Sequence, residues 1–119
     1  MNDLIFKIAP KALWREAEAA GVFTGAPVDH ADGFIHFSTA EQVVETAEKH
    51  FSGQEDLLLV AIRADELGRQ LKWEASRGGA LFPHLYGELP LGAVAWSEEF
   101  PLGADGRHRL PARMTKKAG

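Results

Sequence analysis

The chain of 119 residues contains no cysteine. That absence excludes disulfide frameworks, thiolate metal sites and cysteine nucleophiles, so any metal would need His and carboxylate ligands. No stretch approaches the ~20 continuous apolar residues of a membrane span. Residues 1–8 are broken by Asp3 and Lys7 before a signal-peptide pattern is complete. A cytoplasmic protein without membrane contact is therefore expected. Excess positive charge is missing too: a formal net charge of −4 argues against nucleic-acid binding, which depends on clustered Lys and Arg. Arg107, Arg109, Arg113, Lys116 and Lys117 do gather near the end, but in a Gly/Pro-broken stretch that reads as a solvated terminus. The G-x-S-x-G elbow, the G-x-x-x-x-G-K-[ST] phosphate loop and the G-x-G-x-x-G fingerprint are all absent. Serine hydrolases, P-loop enzymes and Rossmann dehydrogenases lose support accordingly.

What is present is the composition of an ordinary globular protein, 45% apolar and 25% charged, at a length suited to one core. The expected organisation is one compact domain over residues 1–102, followed by an extended tail over 103–119. Residues 4–8 read as a strand, and Pro10 sits where a first helical residue tolerates losing its N–H. A helix follows from Lys11 to Ala20, with Gly21 as its left-handed cap. Residues 21–32 read as a loop and 33–37 as a second strand. Ser38 with Glu41 three places later has the form of a capping box, which predicts a helix from about Thr39 with Val43, Val44, Ala47 and Phe51 on its apolar side. The continuous run Leu57–Ile62 predicts a central strand buried on both faces. Leu71–Ala75 alternates like a half-buried strand, Ser76–Gly92 reads as a long loop, and Ala93–Phe100 returns to strand character. Trp14, Trp73 and Trp96 are expected as core anchors.

Two segments carry the groups that could do chemistry. In Gly33-Phe34-Ile35-His36-Phe37-Ser38, strand alternation sets His36 opposite Ile35 and Phe37. The helix start expected at Ser38 and Thr39 would place free N–H groups beside its ring, an arrangement suited to a phosphate. In Arg77-Gly78-Gly79-Ala80-Leu81-Phe82-Pro83-His84-Leu85-Tyr86-Gly87, glycines allow close backbone approach while Arg77, His84 and Tyr86 supply recognition groups. The same aromatics could equally lid the core. Glu74, just upstream, could orient an imidazole or a ribose hydroxyl, or stand as an exposed strand charge. His36, His84 and Glu74 have the ligand types of a two-His, one-carboxylate metal site, but no short metal-binding spacing accompanies them, so no metal is expected.

Together with Leu4-Ile5-Phe6-Lys7-Ile8, these segments resemble the bacterial family called Domain of Unknown Function 952, over about residues 3–102. The resemblance implies an α+β fold like that of the ADP-ribosyltransferases: two small packed sheets with two main helices and NAD as the cofactor or substrate held in a cleft. In that superfamily a first-strand His or Arg contacts the nicotinamide ribose, a Gly-x-Tyr-Phe motif supplies a stacking ring, and a late Glu assists the reaction. Here Gly33-Phe34-Ile35-His36-Phe37 is similar to the second motif, with His36 near the place of the tyrosine. Lys7 stands at the first-strand position, and Glu88, Glu98 and Glu99 offer no matching late-strand glutamate. Breaking the nicotinamide–ribose bond develops oxocarbenium character that a carboxylate near the sugar would stabilise.

The resulting expectation is a cleft that binds a nucleotide-like or phosphorylated small molecule. Its catalytic candidates are His36, Glu74 and His84, its ligand-binding candidates Lys7, Ser38, Thr39, Arg77 and Tyr86, and its reaction ADP-ribosyl transfer or hydrolysis. The alternatives are a non-catalytic sensor that keeps the cleft, and an interaction domain using an exposed Phe82–Tyr86 loop.

Overall fold

Leu57–Arg63 forms the centre of the molecule because its apolar run has no polar face to give to water. The structure, a computed structural model, describes residues 4–115 apart from the side chains of Arg77 and Thr115. In chain order the strands are β1 (Leu4–Pro10), β2 (Val22–Phe23), β3 (Ile35–His36), β4 (Leu57–Arg63), β5 (Leu71–Ala75), β6 (Leu81–Leu85), β7 (Leu89–Pro90) and β8 (Val94–Glu99). The helices are α1 (Lys11–Ala20), α2 (Pro27–Asp32), α3 (Val43–His50) and α4 (Ala112–Thr115). β4 lies between β1 and β8 in an antiparallel three-stranded sheet, a second three-stranded sheet has the order β3-β6-β5, and β2 pairs with β7 in a short ribbon. The expected pair of sheets is thus three, in a single α+β domain.

One face of β1 and β4 packs against Trp14 and Ala17 of α1 and against Ile35, Phe37, Leu85 and Leu89. The other packs against Val43 and Ala47 of α3 and Phe100. Two covered faces account for the uninterrupted apolar run of β4. α1 ends as expected at Gly21, whose φ of 84° is left-handed and whose N–H reaches the Ala17 carbonyl.

The two larger sheets are joined by one backbone bridge. Phe6 N–H donates to the Ser38 carbonyl at 2.8 Å and Ser38 N–H returns the bond to Phe6 at 2.8 Å. Beyond that bridge β1 and β3 diverge. Pro83 limits the pairing of β3 with β6: its carbonyl accepts from Phe37 N–H at 3.0 Å, so its missing N–H faces the same neighbour. The β3–β6 ladder ends at His36 and His84, and the chain after Phe37 turns to β1 instead.

The structure corrects several expectations. Residues 21–32 contain β2 and α2, not only loop: Pro27 sits in the first turn of α2 and Gly33 closes it at φ 87°. Residues 81–85 form β6, the middle strand of its sheet, so Phe82–Tyr86 is no exposed loop. α3 begins at Val43, not Thr39. Gln42, rather than Glu41, reaches back to Thr39 N–H at 3.0 Å, and Ser38 Oγ bonds Thr46 Oγ1 at 3.0 Å. Trp73 is 46% exposed and anchors no core, whereas Trp14 is 1% exposed.

The stretch read as a tail folds back over its described part. Leu102 bridges His108, the His108 ring stacks on Phe100 at 5.0 Å, and Arg113 pairs with Glu98 while covering the Trp96 ring at 4.6 Å. Lys116 and Lys117 lie outside the described residues. Among the described residues no helix is long and apolar enough to cross a membrane.

Candidate functional site

Strand alternation puts Ile35 in the core, 2% exposed, and turns His36 to the other face. His36 pairs directly with His84 across β3 and β6, their ring centroids 5.6 Å apart and edge to face. Residues two apart share a face, so His84, Tyr86 and Glu74 converge. Glu74 Oε1 lies 2.8 Å from His84 Nδ1 and accepts the Tyr86 hydroxyl at 2.8 Å. Those two hydrogen bonds, His84 first, hold the Glu74 carboxyl below its ordinary value, and the same contact raises the Tyr86 phenol. Phe34 fills the centre of the group, stacked on His84 at 4.1 Å and tilted against His36 at 4.6 Å and Tyr86 at 5.2 Å.

Beneath His36 lies a charged cluster. Asp29, 2% exposed, and Lys7, 5% exposed, are both buried. Lys7 Nζ is 2.9 Å from Asp29 Oδ2 and 3.0 Å from Oδ1. Asp29 Oδ1 also accepts His36 N–H at 3.1 Å and lies 2.6 Å from His36 Nδ1, while Oδ2 accepts Ala26 N–H at 2.7 Å. Burial by itself would push the Asp29 carboxyl up, but the His36 bond, the Lys7 charge and the Ala26 N–H together hold it at about 2. Burial lowers the Lys7 ammonium, with Asp29 opposing the shift. The other ring nitrogen, His36 Nε2, is 2.8 Å from Oδ2 of Asp32, one turn along α2.

Lys7, Asp32, His36 and His84 from these groups border a cleft of about 650 Å³, a size typical of small-molecule sites. Lys7, His36, His84 and Phe82 line it from the strands, Ser38 from the bridge to β1, Gln42 from the entry to α3 and Thr46 from within α3. Phe6 and Ile8 point their backbone groups the same way, toward Ser38 and then into the opening, because strand alternation repeats every two residues. No buried side-chain nitrogen or oxygen among the described residues lacks a partner. His84, whose Nδ1 is taken by Glu74, is among the residues that line the cleft. A second hollow of about 480 Å³ between α1, β8 and the C-terminal stretch is lined by Arg15, Glu98, Glu99 and Arg109, with no imidazole. Each of those four is ion-paired with a neighbouring side chain.

Of the residues singled out from sequence, Lys7, His36, Ser38 and His84 lie at the cleft. Glu74 and Tyr86 stand behind His84. Thr39 does not line the cleft, and with Thr39 N–H taken by Gln42 and Ser38 N–H by Phe6, the expected anion site at a helix start is not formed. Arg77 opens a 3-10 turn between β5 and β6; its side chain lies outside the described residues. Among the described residues no three His, Asp or Glu side chains converge as metal ligands. The structure adds Asp29, Asp32, Phe34 and Gln42, to which sequence reasoning gives no role. Asp29 has a signal: Pro27 two places before it and Gly33 four places after it mark a short helix.

A family model described as "Protein of unknown function (DUF952)" matches residues 8–97. The crystal structure of protein CC0527 from Caulobacter crescentus is 50% identical, covers 95% of this chain and 99% of its own, and superposes with a TM-score of 0.90. The solution structure of the same protein is 54% identical over 87% of this chain and 90% of its own, with a TM-score of 0.79. None of the curated proteins matches the sequence.

Proposed function

Starting from the fact that this chain belongs to the DUF952 family, we propose that its cleft binds a nucleotide-like or phosphorylated small molecule. The observation that carries this reading is the His36–His84 pair: two imidazoles on paired strands at one cleft, each fixed by a carboxylate. An interaction surface built from an exposed aromatic loop would instead leave the histidines apart. With Glu74 at Nδ1, the Nε2 of a neutral His84 would serve as an acceptor for a ligand hydroxyl or amide. The planar rings of His36 and His84, both lining the cleft, suit a flat base or pyridine ring.

The finer reading is ADP-ribosyl transfer or hydrolysis from NAD, with His36 and His84 at the nicotinamide and ribose. It needs a carboxylate at the developing oxocarbenium centre. Glu74 is held behind His84 by two donors, while Glu98 and Glu99 are ion-paired on β8. These positions favour binding without turnover over transfer. Calorimetric titration with NAD, ADP-ribose and nicotinamide tests both readings. We expect saturable binding of at least one, weakened tenfold or more in His36→Ala, without NAD consumption. Absence of heat at millimolar ligand would overturn the binding proposal, and steady nicotinamide release would restore the transferase reading.

A further inference from the structure

We propose that Asp29 is the positioning residue of this site, setting the orientation of His36 and holding the hydrogen on its Nδ1. This inference uses the preceding reading only in taking His36 as a ligand contact. Asp29 draws together three separate parts of the chain: Lys7 from β1, the Ala26 N–H at the entry to α2, and both the backbone and ring of His36 from β3. A carboxylate buried and ionised in this way can only accept, so the hydrogen on Nδ1 points to it. The Nδ1 contact of 2.6 Å is the shortest polar contact of His36, and its direction turns the Nε2 edge outward to the cleft mouth.

The partner at Nε2 differs in kind. The Asp32 side chain is 48% exposed, against 1% for Asp29, and makes a single hydrogen bond to the ring. It also sits in the last turn of α2, where a carboxylate gains nothing from the helix dipole. Asp29 therefore fixes the ring, while Asp32 occupies an edge that a ligand acceptor group can take over.

The test is nitrogen-15 NMR of the histidine rings, without ligand. The wild type is expected to show His36 hydrogen on Nδ1 in slow exchange. Asp29→Asn should shift or abolish that resonance while the His84 ring signals stay in place. Because either single change at the buried pair threatens folding, the Lys7→Met/Asp29→Ala double variant is measured beside the wild type. The double variant should lose the slowly exchanging Nδ1 hydrogen while the Nε2 hydrogen facing Asp32 stays. An unchanged His36 ring in folded Asp29 variants would overturn the proposal. The ADP-ribose affinity of the same variants is a separate reading. A wild type that does not bind any nucleotide would end the cleft proposal, while the ring signals would still decide the role of Asp29.

Discussion

Lys7 and Asp29 form a buried ion pair whose two halves depend on each other, and that dependence sets the size of the expected effects. Leaving one charge unpartnered in the interior costs about 3–5 kcal/mol. Lys7→Met and Asp29→Asn should each destabilise the protein on that scale. Combining them should cost clearly less than the sum, as read by a urea-denaturation cycle. Acid should act through the same carboxylate. Asp29 is held at about 2, below its ordinary 3.8, so its contribution is present in full above pH 4 and is lost as pH falls toward 2. That contribution is about 2 kcal/mol. Asp29→Asn should lack this component of acid unfolding. Tyr86 is the only tyrosine in the chain, which makes its phenol directly observable by ultraviolet absorbance. With its Glu74 acceptor removed in Glu74→Ala, the raised phenol should ionise at lower pH than in the wild type. An unchanged titration would show that the Glu74–Tyr86 bond does not persist in solution.

At the scale of elements, Gln42 ties the start of α3 to two places at once, accepting from Thr39 N–H and donating to the Leu81 carbonyl at 2.8 Å. Gln42→Ala should cost about 1 kcal/mol and speed hydrogen exchange in residues 76–82 without touching β4. Gly33 closes α2 at φ 87°, and a Cβ added there would meet open space. Gly33→Ala should therefore cost about 1–2 kcal/mol through backbone strain alone, as read by urea denaturation. What could be read from the sequence divides along physical lines. β1, α1 and β4 show because their apolar residues follow one period without interruption, and Gly21 marks an end. β6 is hidden because Pro83 argues against a central strand, and only the structure shows that the missing N–H falls where the ladder stops. α2 is hidden by its length, since six residues cannot display a period. The start of α3 is obscured because Ser38 and Glu41 have the right spacing for a cap whose role Gln42 plays. His36 and His84 are legible as a pair from their strand-like and aromatic surroundings. Asp29 is not, because its importance comes from contacts with β1 and β3 that sequence distance conceals.

Across the whole molecule, the cleft depends on how the sheets are joined and then separated. The Phe6–Ser38 bridge fixes one end of the opening, and α3 with the β5–β6 turn closes its sides. Phe6 also belongs to the apolar cluster covered by Leu110 and Met114 from the C-terminal stretch. That stretch should therefore support the cleft from the far face of β1. Ending the chain after Pro101 should lower stability by about 2–4 kcal/mol, the scale of uncovering large core side chains, as measured by thermal unfolding. The central claim is that ligand binds in the cleft that His36 and His84 line together, and backbone amide NMR during ADP-ribose titration tests it most directly. The expected result is saturable shifts confined to Lys7, Ile8, His36–Ser38 and His84, absent in His36→Ala. Saturable shifts centred instead on Arg15, Ser97 and Arg109, or none at millimolar ligand, would contradict it.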